Sequence, residues 1–166
     1  MVLWILWKYT ETIMNTMKIL FLDIDGVVNH QEFYERRAND ETIKSLPYPL
    51  CEFDPLVVNR INYILDETNS KLVISSSWRF NEHLQNIFDN VGFKHKIYDI
   101  TPYGMGKCRG YEIKEWLDKH TDITNYVIID DDSDMLKEQK KHFIRTSELT
   151  GLTSKLTKKA IKILNN

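Results

Sequence analysis

The chain has 166 residues, of which 42% are hydrophobic and 28% are charged. This length suits one domain of ordinary size, and the composition excludes both a disordered chain and a membrane-embedded one. The formal net charge of −2 excludes the strong overall basicity that is typical of nucleic-acid-binding proteins, and it leaves room only for a local basic patch.

The two cysteines and the first residues bear on where the protein works. Cys51 and Cys108 lie far apart and outside any CxxC pair, so the sequence predicts neither a disulfide framework nor a zinc site, and it suits a reducing cytoplasm. The apolar run of residues 1–7 is too short to span a bilayer and lacks the features of a secretory signal. We therefore predict a cytoplasmic protein without membrane or obligate protein partners, in which residues 1–16 are a dispensable extension and residues 17–166 form the domain.

The first predicted element is a buried strand. Residues 18–23 form an almost continuous apolar run that ends in an acid, which is typical of a strand covered on both faces of a parallel sheet. Residues 26–53 show no sustained period and contain Pro47 and Pro49, so we predict a long loop or small flap over the carboxyl end of that strand.

Helices and strands alternate along the rest of the chain. Asp54 and Pro55 provide an N-cap followed by proline at the first helical position, and Gly92 is typical of a helix end. The alternation predicts a doubly wound α/β fold with a parallel sheet, a small flap and no large cap domain, in which ligands bind where the strand order reverses. The predicted helices cover about residues 54–69, 81–91, 113–117 and 152–164, and the predicted strands residues 71–75, 96–98, 126–129 and 142–144.

Two acids follow the first strand at the point where the backbone leaves the sheet. Asp23 and Asp25 are two residues apart, and Gly26 lets the chain turn sharply after them. One carboxylate placed there can attack phosphorus, while the other can protonate the leaving oxygen as a general acid. The spacing therefore indicates a nucleophile and an acid with separate roles.

These residues carry a resemblance to a known superfamily. The DIDGV sequence of residues 23–27 after a hydrophobic strand resembles the first motif of the haloacid dehalogenase (HAD) superfamily. Ser75 at a strand end resembles the second motif, Lys107 or Arg109 the basic third motif, and Asp130-Asp131 the acidic fourth.

The resemblance covers roughly residues 17–164, in the order of the superfamily motifs. A closer resemblance is to the HAD domain of Swiss Army knife RNA repair proteins, which implies processing of nucleic-acid ends. It rests on the sequences SSSWR at residues 75–79, TP at 101–102, RGYEI at 109–113 and GLT at 151–153.

The resemblance implies a magnesium-dependent phosphatase. Asp23 would form an aspartyl-phosphate, and Asp25 would protonate the leaving alkoxide and then activate water. Mg²⁺ would be held by the Asp23 carboxylate, the Asp25 backbone carbonyl and Asp130 or Asp131, with Asp134 as an alternative to one of these two. Independently of the resemblance, carboxylates gathered at one sheet edge cannot all stay ionised unaided, which favours a bound cation.

Further residues are candidates for binding the substrate phosphate. The resemblance implies that Ser75 and Lys107 bind phosphoryl oxygens, and Arg109 is the alternative to Lys107 as the third-motif base. Ser76 is a candidate for the same site, with capping of the following helix as its alternative role. Arg79 is a candidate for a bidentate phosphate clamp or for a structural role.

The substrate remains open between several classes. A small flap would leave the site open, which favours a 3′ or 5′ end of RNA or DNA over a nucleotide or a sugar phosphate. A receiver-like module that accepts phosphate, or a phosphate-ester binding protein without turnover, is an alternative from another class. Asp25 favours the phosphatase, because a receiver needs no second acid at that position. Trp78 and Trp116 are interpreted as packing residues rather than base-stacking ones.

Overall fold

A computed structural model describes residues 17–104 and 108–166 of the chain, and in them five parallel strands form one sheet. The spatial order is β3-β2-β1-β4-β5, so the order reverses beside the first strand. This confirms the predicted doubly wound α/β fold, and it differs from the 2-1-3-4-5 order of flavodoxin-like receivers. The strands are β1 Met17–Leu22, β2 Lys71–Ile74, β3 Ile97–Ile100, β4 Ile123–Asp130 and β5 Phe143–Arg145.

Helices connect the strands and cover the sheet. Their starts follow local capping rules: the side chain of Asp54 accepts a hydrogen bond from the backbone N–H of Leu56, and Pro55 occupies the first helical position. The α-helices are α1 Gln31–Ala38, α2 Glu41–Lys44, α3 Pro55–Thr68, α4 Leu84–Val91, α5 Arg109–Lys119 and α6 Ser154–Leu164, and 3₁₀ helices cover Leu50–Glu52, Ser77–Phe80 and Lys137–His142.

The core has one layer on each face of the sheet. Successive residues of β1 point to opposite faces, because side chains alternate along a strand. Leu20 and Leu22 pack into the larger layer with α3, α4 and α6, whereas Ile19 and Phe21 pack against α5. All four side chains are fully buried. Burial on both faces explains why β1 reads as a continuous apolar run.

The flap and two helix starts differ from the sequence prediction. The flap is not a plain loop, because it contains α1 and α2. Only Phe33 of α1 is buried, so the helix shows almost no apolar period in the sequence. Helix α4 starts at Leu84 rather than at residue 81, because a turn at residues 82–83 separates it from the 3₁₀ helix Ser77–Phe80. Helix α5 starts at Arg109, inside the segment predicted as a loop.

Some predictions lie outside the described residues. These are the dispensable extension of residues 1–16 and the placement of Lys107. Within residues 17–104 and 108–166, every helix is too short or too polar to cross a bilayer.

Candidate active site

The register of the sheet places three polar residues on one level at its carboxyl edge. Leu22 of β1 pairs with the last residue of β2 and with Ile129 of β4. The next residue along each strand is Asp23, Ser75 and Asp130, respectively. The backbone N–H of Asp23 donates to the carbonyl of Ile129 at 3.0 Å, so the ladder extends to the nucleophile candidate. The side chains of Asp23, Ser75 and Asp130 therefore extend from neighbouring positions at the ends of three hydrogen-bonded strands.

Three carboxylates meet at this edge. Oxygens of Asp23, Asp130 and Asp131 all lie within 4.8 Å of one another. Asp23 and Asp130 are buried, and Oδ2 of Asp130 has no hydrogen-bond partner among the described residues. An unpaired buried carboxylate oxygen is costly, so this cluster is stabilised either by protonation or by a positive charge close by.

Burial changes the protonation of two of these acids. It raises the pKa of Asp23 to about 6, against the opposing effects of the Arg109 charge and a hydrogen bond from Ser76. Burial, followed by the charge of Asp23, raises the pKa of Asp130 to about 7. A bound divalent cation would favour the ionised form of both acids.

The residues fit a magnesium ion. Mg²⁺ prefers carboxylate oxygens in octahedral geometry, and three such oxygens that lie within 4.8 Å of one another could draw together around one ion. The unpartnered oxygen of Asp130 would gain a ligand bond. The carboxylate of Asp134 is not part of the three-carboxylate cluster. Its Oδ2 accepts a hydrogen bond from the backbone N–H of Arg109 at 2.8 Å, and its Oδ1 has no hydrogen-bond partner among the described atoms.

Arg109 is the basic residue that the described part of the chain brings to the cluster. Its Nη1 lies 3.3 Å from Oδ1 of Asp23, and its Nε lies 3.8 Å from Oδ2 of Asp130. It is the first residue of α5, so its backbone lies at the positive end of that helix, where the backbone N–H of Arg109 donates to Oδ2 of Asp134. Arg109 can therefore offset their charge and contact an incoming phosphate.

Close packing at Gly110 fixes the start of α5. A Cβ atom at this position would lie 2.7 Å from the backbone N of Leu136 and 2.7 Å from Oε1 of Gln139. The side chain of Gln139 donates to the carbonyl of Gly110 at 2.8 Å. Glycine is needed here because a larger residue would push α5, and Arg109 with it, away from the cluster.

Asp25 occupies a different position from the other acids. Its carboxylate is outside the three-carboxylate cluster and is exposed. Oδ1 accepts a hydrogen bond from Nδ2 of Asn29 at 2.7 Å, and Nε1 of Trp78 lies 3.1 Å from Oδ2 and 3.2 Å from Oδ1. The structure thus separates a buried nucleophile candidate from an exposed, oriented acid candidate.

The serines of the second motif differ in their contacts. Ser75 is fully buried, and its hydroxyl has no partner within the described residues. The hydroxyl of Ser76 accepts a hydrogen bond from the backbone N–H of Trp78 at 3.4 Å, as the cap of the 3₁₀ helix, and it is one of the groups that oppose the rise in the pKa of Asp23. The hydroxyl of Ser75 is thus available to bind a phosphoryl oxygen.

Arg79 connects the second motif to α5. Its Nη1 donates to the carbonyls of Ser75 at 2.8 Å and Ser76 at 3.1 Å, and its Nη2 lies 3.0 Å from a carboxylate oxygen of Glu112. Both side chains of this ion pair are almost fully buried. Only Nε lacks a partner among the described atoms. These contacts favour the structural role over the phosphate clamp.

Sequence reasoning missed the residues that position the candidates. Asn29, Trp78 and Glu112 each bond a candidate residue that is distant in the chain or belongs to a loop. Neither apolar period nor motif spacing marks such contacts. The indole N–H of Trp78 was the available signal, because the N–H of a tryptophan that packs against a core usually finds a polar partner.

One protein family matches this sequence. Its description is the HAD domain in Swiss Army Knife RNA repair proteins, and the match covers residues 19–156. The chain belongs to this family. Membership of the HAD superfamily indicates a hydrolase of the phosphatase type, and such domains generally use Mg²⁺. Neither a curated protein nor a solved structure matches the chain.

Proposed function

We propose that this HAD domain is a Mg²⁺-dependent phosphomonoester hydrolase that works through an aspartyl-phosphate at Asp23. The observation that carries the proposal is the meeting of Asp23, Asp130 and Asp131 beside Arg109 at the carboxyl edge of the sheet. Family membership supports the phosphatase chemistry. The cation would reduce the repulsion between anionic nucleophile and anionic substrate, which is the main obstacle to this reaction.

The two aspartates would share the chemistry in two steps. In the first, a carboxylate oxygen of Asp23 bonds to phosphorus, the bond from phosphorus to the alcohol oxygen breaks, and the proton of Asp25 moves to that oxygen. In the second, Asp25 takes a proton from water, the hydroxide bonds to phosphorus, and the bond from phosphorus to Asp23 breaks. The products are the free alcohol and inorganic phosphate.

The remaining phosphate contacts follow from the site. The hydroxyl of Ser75 and the guanidinium of Arg109 would bind phosphoryl oxygens, together with the predicted contributions of Ser76 and Lys107. Asp23, Asp130 and Asp131 would hold Mg²⁺, with the predicted backbone carbonyl of Asp25.

A nucleic-acid end is the proposed substrate. The family description refers to RNA repair. The flap consists of two short α-helices and a 3₁₀ helix, and a flap of this size would leave the site open to a polymer end. An aromatic pair adds support: Phe80 and Tyr103 are each 62% exposed, and their ring centroids lie 5.3 Å apart. The guanidinium of Arg79 lies over both rings and donates to the carbonyls of Ser75 and Ser76. Exposed rings beside a phosphate site can stack bases.

We infer a reducing compartment such as the cytoplasm, because Cys51 and Cys108 are both free cysteines and neither forms a disulfide.

Hydrolysis of an aryl phosphate tests the mechanism. We expect turnover that needs Mg²⁺ and is lost in Asp23→Asn, because the neutral amide is a poor nucleophile and a poor ligand. Asp25→Asn should release one equivalent of phenol and then stall, because the second step lacks its base. Acid-quenched Asp25→Asn should therefore carry phosphate on Asp23.

Turnover without any divalent cation, or full activity of Asp23→Asn, contradicts this mechanism. The substrate class needs a separate comparison of 3′-phosphorylated and 5′-phosphorylated RNA and DNA with free nucleotides and sugar phosphates. A kcat/KM that favours the free nucleotides or sugars would exclude the nucleic-acid end and leave the phosphatase mechanism intact.

A further inference from the structure

The carboxylate of Asp25 is held by side chains from two separate segments. Asn29 belongs to the turn that follows Asp25, whereas Trp78 belongs to the 3₁₀ helix after the second-motif serines. Asp25 itself is exposed. An exposed aspartate ordinarily samples several rotamers, whereas two hydrogen-bond donors on one carboxylate restrict it to a defined orientation.

Asn29 has a defined orientation. It is buried, and its Oδ1 accepts the backbone N–H of Gly26 at 3.0 Å. An amide nitrogen could not accept that hydrogen, so the side-chain NH₂ must face Asp25, to which it donates at 2.7 Å. Asn29 thereby fixes Oδ1 of Asp25 relative to the turn.

Trp78 is fixed by packing. Its ring meets Phe53 edge-on with centroids 5.2 Å apart, and it packs against the larger core layer. Its backbone N–H also bonds the Ser76 hydroxyl. The indole Nε1 therefore approaches Asp25 from a rigid position, at 3.1 Å from Oδ2.

Both partners of Asp25 can only donate hydrogen bonds in this arrangement. An indole N–H and an amide NH₂ accept no proton, so a protonated Asp25 must direct its O–H elsewhere. Oδ1 receives the short bond from Asn29, and the indole N–H of Trp78 is shared between Oδ1 at 3.2 Å and Oδ2 at 3.1 Å. Oδ2 therefore has fewer donors than Oδ1, and it is the oxygen that we assign to carry the proton. Asn29 and Trp78 offer no acceptor for this proton, and the leaving oxygen of a substrate would supply one.

We propose that Trp78, together with Asn29, is a positioning residue that aims the proton of Asp25 at the leaving group. The inference rests on the proposed function in one respect, namely that Asp25 is the general acid. It adds a role for Trp78 that packing alone does not give, since packing needs the ring and not its N–H.

The dependence of rate on the leaving group tests this role. An alkyl phosphate needs protonation of its leaving oxygen, whereas p-nitrophenyl phosphate has a leaving group that departs without it. The readout is the ratio of kcat/KM for an alkyl phosphate to kcat/KM for p-nitrophenyl phosphate, because kcat/KM covers the first irreversible step. A general loss of folded protein or of phosphate binding leaves this ratio unchanged.

Trp78→Phe keeps a ring in the packed position and removes the N–H. We expect the ratio to fall at least about tenfold, in the direction of the larger fall expected for Asp25→Asn. Trp116→Phe is the matched control, because Trp116 also donates its indole N–H to a carboxylate, Asp99, at 2.7 Å, outside the site. Its ratio should equal that of the wild type.

Trp78→His keeps an N–H donor and removes the six-membered ring of the indole. It is also the variant to measure if Trp78→Phe does not fold. Imidazole matches the five-membered ring of indole and can present an N–H at the same place, so its ratio should lie closer to the wild type than that of Trp78→Phe. An unchanged ratio in Trp78→Phe, which is what an equal loss on both substrates gives, overturns the inference. A Trp78→His ratio as low as that of Trp78→Phe overturns it as well.

The outcome for Asp25→Asn distinguishes the inference from the proposed function. If Asp25→Asn lowers the ratio and Trp78→Phe does not, only the positioning role of Trp78 fails. If Asp25→Asn leaves the ratio unchanged, the acid role of Asp25 fails and the positioning role of Trp78 fails with it, whereas the nucleophile role of Asp23 is tested separately by Asp23→Asn.

Discussion

Both the backbone conformation and the space around residue 26 favour glycine at that position. Its φ is +69°, in the region that side chains other than glycine rarely adopt, and a Cβ atom would lie 2.5 Å from the carboxylate carbon of Asp131. The glycine of the first motif therefore does more than turn the chain. Its missing side chain lets a carboxylate from the fourth motif approach the first.

Gly26→Ala should damage the proposed ion site more than the fold. We expect a stability loss of about 1 kcal/mol from the backbone, together with a reduced rise of Tm on adding Mg²⁺ and a lower kcat, because Asp131 must move. Gly92→Ala is the control, since Gly92 has φ of +99° and open space where the added methyl group would lie. A normal Mg²⁺ response in Gly26→Ala would contradict the close approach of Asp131.

At the scale of elements, α5 is tied to the second-motif turn by a buried ion pair. Glu112 of α5 contacts Nη2 of Arg79 with both carboxylate oxygens, and it also accepts the backbone N–H of Gly104 at 3.2 Å. Because Arg109 is on the same helix, this pair helps to set the distance between Arg109 and the acids. The pair connects parts of the proposed phosphate site that are remote in sequence.

Removing one partner of this pair should be costly. Arg79→Met or Glu112→Gln should each lower the free energy of unfolding by about 3–5 kcal/mol, since each leaves a buried group without its partner. The double variant should lose less than the sum. Urea unfolding measures all three, with Lys114→Met as the control, because its pair with Asp118 on α5 is exposed. Additive losses would show that the two side chains act independently.

At the scale of the whole molecule, Asp54 joins the flap to the body. It caps α3, is almost fully buried, and bonds His30 and Arg36 of the flap. Burial by itself would raise its pKa, but hydrogen bonds from His30 and from the backbone N–H of Leu56, with the charge of Arg36, bring the pKa of Asp54 below its ordinary value. The ionised form therefore stabilises the folded protein.

Asp54→Asn should show the pH dependence of this link. An asparagine still caps a helix, so the variant chiefly loses the charge. Since the native pKa lies below that of the unfolded chain, near 3.9, the stabilisation is complete above about pH 5 and disappears as the pH falls through the native pKa. Unfolding free energies from pH 7 to pH 3 should converge for the wild type and the variant. A constant difference over this range would exclude the charge as the cause.

The sequence by itself determined the order of elements and the candidate acids. Buried parallel strands give continuous apolar runs, and Asp23, Ser75 and Asp130 could be placed at strand ends because those runs stop there. The α/β fold was predicted for this reason and is confirmed. The family was predicted from the resemblance of motifs such as DIDGV, and it is confirmed as well. The helical flap was not predicted, because α1 buries a single residue.

Only the tertiary structure decided which side chains meet. The spacing of Asp23 and Asp25 could not show that one joins Asp130 and Asp131 while the other turns to Asn29 and Trp78. Periodicity records burial along one element, whereas these contacts depend on strand register and on loops that approach from different elements. The kinds of chemical groups were thus set by the sequence, and their partners by the packing of the sheet edge.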